Sequence, residues 1–127
     1  MGQRKSPYTV MVVHPSEFVL MVLTRGLEAK GYRVSPFGSA IKALSALETK
    51  RVSLLVIAEE DSVMGRWGLL GKLREDPRLQ DMPVIVLATD PTDLDVFDAY
   101  HFGADMLLDA DELESVITGI DHLLNPP

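Results

Sequence analysis

Short apolar runs alternate with amphipathic stretches along the chain. Residues 8–13, 53–58 and 83–88 are almost continuously apolar and rich in valine or isoleucine. Such runs are typical of strands buried on both faces of a parallel sheet, so we predict three central strands there. Residues 33–37 include a proline, and residues 105–108 form a short run flanked by acids. Both features favour strands at the edges of the sheet.

Helical patterns separate and follow these strands. The predicted helices span residues 17–30, 40–50, 66–75, 92–102 and 111–124. Ser16 and Ser39 stand at N-cap positions, and Gly31 and Gly103 stand where the first and fourth helices should end.

The order β-α, repeated five times, predicts an α/β fold with one doubly wound parallel sheet. Right-handed crossovers place helices on both faces of such a sheet. A functional site in this architecture lies at the carboxyl ends of the strands. The loops after Val13, Ala58 and Ala88 are therefore the places where chemistry is expected.

Composition is that of one ordinary globular domain. The chain has 127 residues, of which 46% are hydrophobic and 24% charged, so we predict a single domain over residues 1–127 with a core between 8 and 124. The absence of cysteine excludes disulfides and thiolate metal sites. The N-terminus has no apolar run of signal-peptide type, and the longest apolar run, residues 18–23, is too short to span a bilayer. A cytoplasmic protein without a membrane segment is expected.

Charge divides the chain into two unlike parts. All twelve lysines and arginines lie at or before Arg78, whereas residues 79–127 hold eleven of the nineteen acids. The field of that acidic part repels nucleic acid and favours a partner with a basic surface. The alternative is that the acids only keep the protein soluble.

Four segments carry a family resemblance: YTVMVVH, GLEAKGYRV, GKLREDPRLQDMPVIVLAT and GADMLLD. They resemble the receiver domain of response regulators in two-component signalling, and the likeness extends from Tyr8 to Leu124. The resemblance implies a flavodoxin-like fold with strand order 2-1-3-4-5. It also implies a site in which an acidic pair holds Mg²⁺ and an aspartate ending the third strand accepts a phosphoryl group. A threonine or serine ending the fourth strand and a lysine after the fifth would then contact the phosphoryl oxygens.

The residues that align with this chemistry do not supply it. The acidic pair aligns with His14 and Pro15, the phosphoacceptor with Ala58, the hydroxyl with Ala88, the lysine with Ala110 and the aromatic of the fifth strand with Leu107. A shift of one residue would bring Glu59 or Thr89 into place. Without the cation, nothing pairs with a phosphoryl oxygen. The sequence therefore predicts a degenerate receiver.

The polar residues left near this site allow several interpretations. Glu59, Glu60 and Asp61 could bind a divalent cation, but adjacent acids on one loop point in different directions, which favours a solvated loop. His14 could act as a pH-dependent latch near Glu59, or it could be a hydrogen-bonded loop histidine. Glu59 could also mimic a phosphorylated aspartate. We predict no cofactor and no metal.

Two surfaces are candidates for partner binding. On the first helix, Val19, Val22, Leu23 and Leu27 form a stripe that should face the sheet, which leaves Phe18, Leu20 and Met21 at its flank or outside. A partner surface is one interpretation, and closure of Phe18 over the space of the missing acidic pair is the other. Trp67 could likewise be an anchor or a lid on a helix end. The second candidate surface is acidic and includes Asp93, Asp98 and Glu114.

These features predict a receiver-like interaction module that cannot be phosphorylated. The sequence has no cysteine, GxSxG elbow, glycine-rich phosphate loop or HExxH motif, so we expect no enzyme, and the loop after Val13 lacks the glycines of a flavin site. The alternative is a phosphorylatable receiver that uses Glu59 or Asp61. We expect a protein partner, and neither nucleic acid nor membrane. The chain should be a monomer, or a weak dimer that does not form through the acidic face of residues 92–121, because like charges would meet there.

Overall fold

The computed structural model describes residues 7–58 and 67–126, and within these ranges five strands alternate with five helices. The elements are β1 (Thr9–Val13), α1 (Glu17–Ala29), β2 (Arg33–Phe37), α2 (Ala40–Leu47), β3 (Leu54–Ala58), α3 (Gly68–Glu75), β4 (Val84–Ala88), α4 (Asp93–His101), β5 (Met106–Asp109) and α5 (Leu113–Leu124).

The strands form one parallel sheet in the order β2-β1-β3-β4-β5. This confirms the predicted flavodoxin-like fold and the assignment of β2 and β5 to the two edges. The two sequence features that indicated edges, a proline in β2 and a short run in β5, fall where a strand has only one neighbour. Most predicted boundaries are within one residue of those observed, but α2 ends three residues earlier than predicted, and α3 and α5 begin two residues later.

Alternate side chains of the central strands fill two separate core clusters. Along β1, Val10 and Val12 belong to one cluster while Met11 and Val13 belong to the other. The cluster with Val10 packs against α1 and α5, and the cluster with Met11 packs against α2, α3 and α4. Because both faces are covered, the strand sequence is apolar at every position rather than at every second one.

Capping groups set the first turns of three helices. The Ser16 and Ser39 hydroxyls accept hydrogen bonds from the third residues of α1 and α2, as predicted. Thr92 and Asp95 form a reciprocal capping box at the start of α4. Gly31 and Gly103 follow α1 and α4 with φ angles of 93° and 105°, a conformation that other residues adopt only with strain.

Leu20 lies at the flank of the α1 core stripe, one of the two positions that the pattern allows. Leu20 is half-buried and packs against the core cluster of α1 and α5, together with the fully buried Leu23 and Leu27. Residues 20, 23 and 27 are three and four positions apart, so they share one face of the helix. Leu20 is therefore a core-flanking residue more than part of an outer surface, and Val22, expected in the stripe, is half-buried.

Candidate functional site at the carboxyl edge of the sheet

The strand register brings the predicted site positions to one edge of the sheet. Val13 pairs with Ile57, so the chain leaves β1 and β3 at nearly the same level. Ala58 pairs with Leu87 and Ala88 with Asp109. Just beyond, the backbone N–H of Ala110 donates to the carbonyl oxygen of Ala88 at 2.9 Å.

Methyl groups occupy the positions where the resemblance expects a nucleophile, a hydroxyl and a cation. Ala88 is buried, and Ala58 and Ala110 are half-buried. An alanine side chain can neither accept a phosphoryl group nor donate a hydrogen bond to one. Thr89, the hydroxyl one residue beyond, is exposed. Asp90 follows it at φ 48°, a left-handed conformation that aspartate tolerates better than most residues.

Acids flank the position of the expected lysine. Asp109 ends β5, and its Oδ1 accepts a hydrogen bond of 2.9 Å from the backbone N–H of Asp111. Ala110 lies between these two carboxylates, so the local charge is opposite to the one that would attract a phosphoryl group. The sequence pattern predicts that this strand ends at residue 108, whereas Asp109 is its last residue. The spacing Asp-x-Asp, which favours such a turn, was the available signal.

His14 is held by two hydrogen bonds. Its backbone N–H donates to the carbonyl oxygen of Phe37 at 3.1 Å, and its Nδ1 accepts from the backbone N–H of Ser16 at 3.0 Å. Burial lowers the pKa of the imidazole from 6.5, because desolvation disfavours the charged form. The geometry therefore matches a hydrogen-bonded loop histidine. The next residue, Pro15, is exposed and has no side-chain donor or ligand.

The described part of this edge lacks the donor set of a hard cation. Among residues 7–58 and 67–126, no three His, Asp or Glu side chains are grouped so that they could hold a metal ion. The Mg²⁺ implied by the resemblance does not fit His14, Pro15 and the alanines. Glu59, Glu60 and Asp61 lie outside the described residues, and with them the interpretations that depend on these acids.

The candidate surface residues differ widely in exposure. Phe18 is 67% and Met21 43% exposed on α1. Trp67 is half-buried, packs against the core cluster of α2, α3 and α4, and stacks on Phe102 with a centroid distance of 5.8 Å. This arrangement resembles a lid on the start of α3 more than an exposed anchor.

On the acidic face, Asp93 and Glu114 are exposed and Asp98 is half-buried. Sequence reasoning missed the apolar residues beside them. Leu94, Phe97 and Tyr100 of α4 are all more than half exposed.

Comparison with solved structures identifies the architecture. The chemotaxis protein CheY4 of Vibrio cholerae aligns with a TM-score of 0.85 at 17% identity, over 92% of this chain and 98% of that one. The phosphorylated cyanobacterial phytochrome response regulator RcpA gives 0.83 at 17%, over 96% and 97%. The Mn²⁺-bound response regulator Rcp1 gives 0.81 at 17%, over 94% and 96%. The chain has the receiver fold.

No protein-family model and no curated protein sequence matches the chain. The likeness to receivers therefore rests on three-dimensional structure, and at this level of identity it establishes the fold. In the part of the chain that the structure describes, no helix is both long and apolar enough to cross a bilayer.

Proposed function

We propose that this chain is a receiver-like interaction module of signal transduction that binds another protein and accepts no phosphoryl group. The observation that carries the proposal is the pair Ala88 and Ala110, joined by a backbone hydrogen bond at the carboxyl edge of the sheet. Where the resemblance expects a hydroxyl and a lysine, these residues present two methyl groups.

Phosphoryl transfer needs charge compensation for the oxygens of the transferred group. Neither His14, whose Nδ1 is engaged by the Ser16 N–H, nor Pro15 can hold a divalent cation there. Asp109 and Asp111 add negative charge next to Ala110. The chain thus combines the fold of RcpA, whose structure is phosphorylated, and of Rcp1, whose structure is Mn²⁺-bound, with an edge whose described residues favour neither ligand.

The surfaces support an interaction role. Phe18 and Met21 lie exposed on α1, and Asp93, Asp98 and Glu114 mark the acidic side of the chain. Exposed aromatic and methionine side chains are enriched in the centres of protein interfaces. Catalysis is not part of the proposal.

Phosphorylation is the direct test. The full chain is treated with acetyl phosphate and Mg²⁺ and analysed by intact-mass spectrometry, and in parallel it is titrated with beryllofluoride while amide resonances are followed by NMR. We expect no added phosphoryl mass and no saturable shifts around Ala58, Thr89 and Ala110. A receiver that is phosphorylated under the same conditions serves as the positive control.

If phosphorylation is observed, two variants identify the acceptor residue. Phosphorylation that disappears in Glu59→Ala or in Asp61→Ala would identify a shifted acceptor and overturn the proposal. Phosphorylation that survives both changes would also overturn it, because an acceptor elsewhere would then be at work.

A further inference from the structure

A cleft opens at the amino edge of the sheet, at the opposite ends of the strands from the candidate site. It lies between residues 47–53, which lead from the end of α2 toward β3, and residues 78–79, which lie between α3 and β4. Its volume is about 660 Å³, within the range of sites that hold small molecules. The cleft therefore has room for a ligand of that size.

The most buried side chains of the cleft are apolar. Leu47 is buried, and Val52 and Leu79 are half-buried. Beside them, the Ser53 Oγ accepts a hydrogen bond from the backbone N–H of Thr9 at 3.1 Å. A hydroxyl group that accepts one hydrogen bond can still donate another. These residues can thus cover the apolar part of a ligand and offer it a hydrogen-bond donor.

Two arginines at the cleft have donors to spare. Arg51 is exposed, and it forms neither a hydrogen bond nor an ion pair with any residue that the structure describes. The Nε and Nη2 atoms of Arg78 donate to the Asp76 carboxylate at 3.3 and 2.9 Å, and its Nη1 lies 3.4 Å from the carbonyl oxygen of Glu48. A guanidinium group has five N–H donors. Arg78 therefore connects the two sides of the cleft and keeps two donors for a ligand.

The charge of the cleft is positive, although the net charge of the chain is −7. Among the described residues that line it, three are cationic and one, Glu48, is acidic. The third cation is Lys50, whose Nζ donates to the Ser35 Oγ at 3.4 Å and lies 5.9 Å from the centre of the Phe37 ring. Such a cluster attracts anions from the surrounding solution. An anionic ligand is therefore favoured over a neutral or cationic one.

We propose that this cleft binds a small organic phosphate. Its phosphate group would pair with Arg51 and Arg78, because guanidinium groups bind phosphate oxygens through paired N–H donors. Its apolar part would lie against Leu47, Val52 and Leu79. The proposal goes beyond the interaction function and is independent of it, since the carboxyl edge of the sheet takes no part.

The test uses (1-naphthylmethyl)phosphonate as the probe, because its C–P bond excludes phosphoryl transfer. The full chain is titrated with the probe while amide resonances are followed by NMR. We expect saturable shifts centred on Thr49, Val52 and Leu79, with a Kd in the millimolar range or below, as is usual for a ligand of this size. Inorganic phosphate and 1-naphthol each carry only one part of the probe, so both should bind at least about tenfold more weakly.

Two exposed arginines give a matched pair of variants. Arg51→Gln should weaken binding of the probe about tenfold or more, because a hydrogen bond between charged groups is lost. Arg25 lies exposed on α1, away from the cleft, and Arg25→Gln makes the same change in net charge, so it should leave the affinity unchanged. Arg51→Lys keeps the charge without the paired donors, and its affinity should lie between those of the wild type and Arg51→Gln. Thermal unfolding by circular dichroism verifies that each variant is folded.

Several outcomes would overturn the inference. These are no saturable binding of the probe, shifts centred outside the cleft, and equal weakening by Arg51→Gln and Arg25→Gln. Equally tight binding of 1-naphthol or of inorganic phosphate would also overturn it, because the cleft would then recognise only one part of the ligand. None of these results bears on transfer of a phosphoryl group, so failure of this inference is distinguishable from failure of the proposed function.

Discussion

Arg74 joins three separate segments of the chain, and its removal should destabilise the fold. Its Nε and Nη2 donate to the carbonyl oxygen of Gly103 at 3.0 and 2.7 Å. Its Nη1 lies 2.8 Å from the carbonyl oxygen of Met82, and its Nη2 lies 3.2 Å from the carboxylate of Asp105. The same carboxylate oxygen accepts from the backbone N–H of Val84 at 2.8 Å. The guanidinium thus connects α3 to the segments that begin β4 and β5.

The expected magnitude follows from how many of these bonds water can replace. A hydrogen bond with a charged partner contributes roughly 1.5–3 kcal/mol. The Arg74 side chain is 20% exposed, and water can reach part of its surroundings, so the bonds do not add fully. With the bonds to Gly103 and Met82 counted as the main losses, Arg74→Met should lower the free energy of unfolding by about 2–4 kcal/mol. Arg74→Lys keeps the charge but cannot donate the paired hydrogen bonds to the Gly103 carbonyl oxygen, so its free energy of unfolding should lie between those of the wild type and Arg74→Met.

Urea denaturation followed by circular dichroism measures the change, and Arg78→Met is the control. Arg78 is 59% exposed and pairs with Asp76 at the surface. Removing such a pair should leave the unfolding midpoint unchanged. If Arg74→Met shifts the midpoint no more than Arg78→Met does, the carbonyl contacts contribute nothing to stability and the reasoning is wrong.

Three further predictions concern pH and backbone conformation. Burial lowers the pKa of His14 from 6.5, so below pH 6.5 the unfolded chain takes up a proton more readily than the folded chain, and the free energy of unfolding should fall. The variant His14→Asn can still accept a hydrogen bond from the Ser16 N–H. In urea titrations between pH 7 and 5 it should lose less stability than the wild type. Burial, followed by the hydrogen bond and the charge of Asp121, raises the pKa of Tyr32 from 10.0 to about 12. The folded chain therefore retains a proton between pH 10 and 12 that the unfolded chain has released, so stability should decline over that window in the wild type but not in Tyr32→Phe. Gly103→Ala should cost about 2 kcal/mol in thermal or urea unfolding, since φ is 105° and an added Cβ would lie 2.9 Å from the Arg74 side chain; an unchanged midpoint would contradict this.

The sheet could be predicted from the sequence because burial on both faces leaves a direct trace in the chain. The strands β1, β3 and β4 are apolar at nearly every position, and no surface element of this length would be. The edge strand β2 was equally recognisable from its proline. The strand at the opposite edge, β5, was placed one residue too early, because Asp109 is a poor strand former and its turn with Asp111 is a local contact that a hydrophobicity pattern does not register.

The orientation of α4 could not be predicted in this way. Periodicity alone would turn the large side chains of Leu94 and Phe97 toward the core, whereas the structure turns the small Ala99 inward and leaves the large ones exposed. The contacts that accompany this orientation are tertiary, such as the stacking of Phe102 on Trp67 at the end of the helix. The acidic residues of this surface were visible in the sequence, and its apolar centre became visible only with the fold.

The proposed loss of phosphorylation has a consequence for how binding would be controlled. A ligand shifts an equilibrium between two conformations only by the difference in its affinity for them. With Ala88 and Ala110 at the carboxyl edge, a phosphoryl group would gain no side-chain hydrogen bond from either residue. The helix α4 is meanwhile held at one end by its capping box and at the other by the bonds of Arg74 to Gly103. On this proposal, the bound fraction of a partner would follow the concentrations of the two proteins and their affinity.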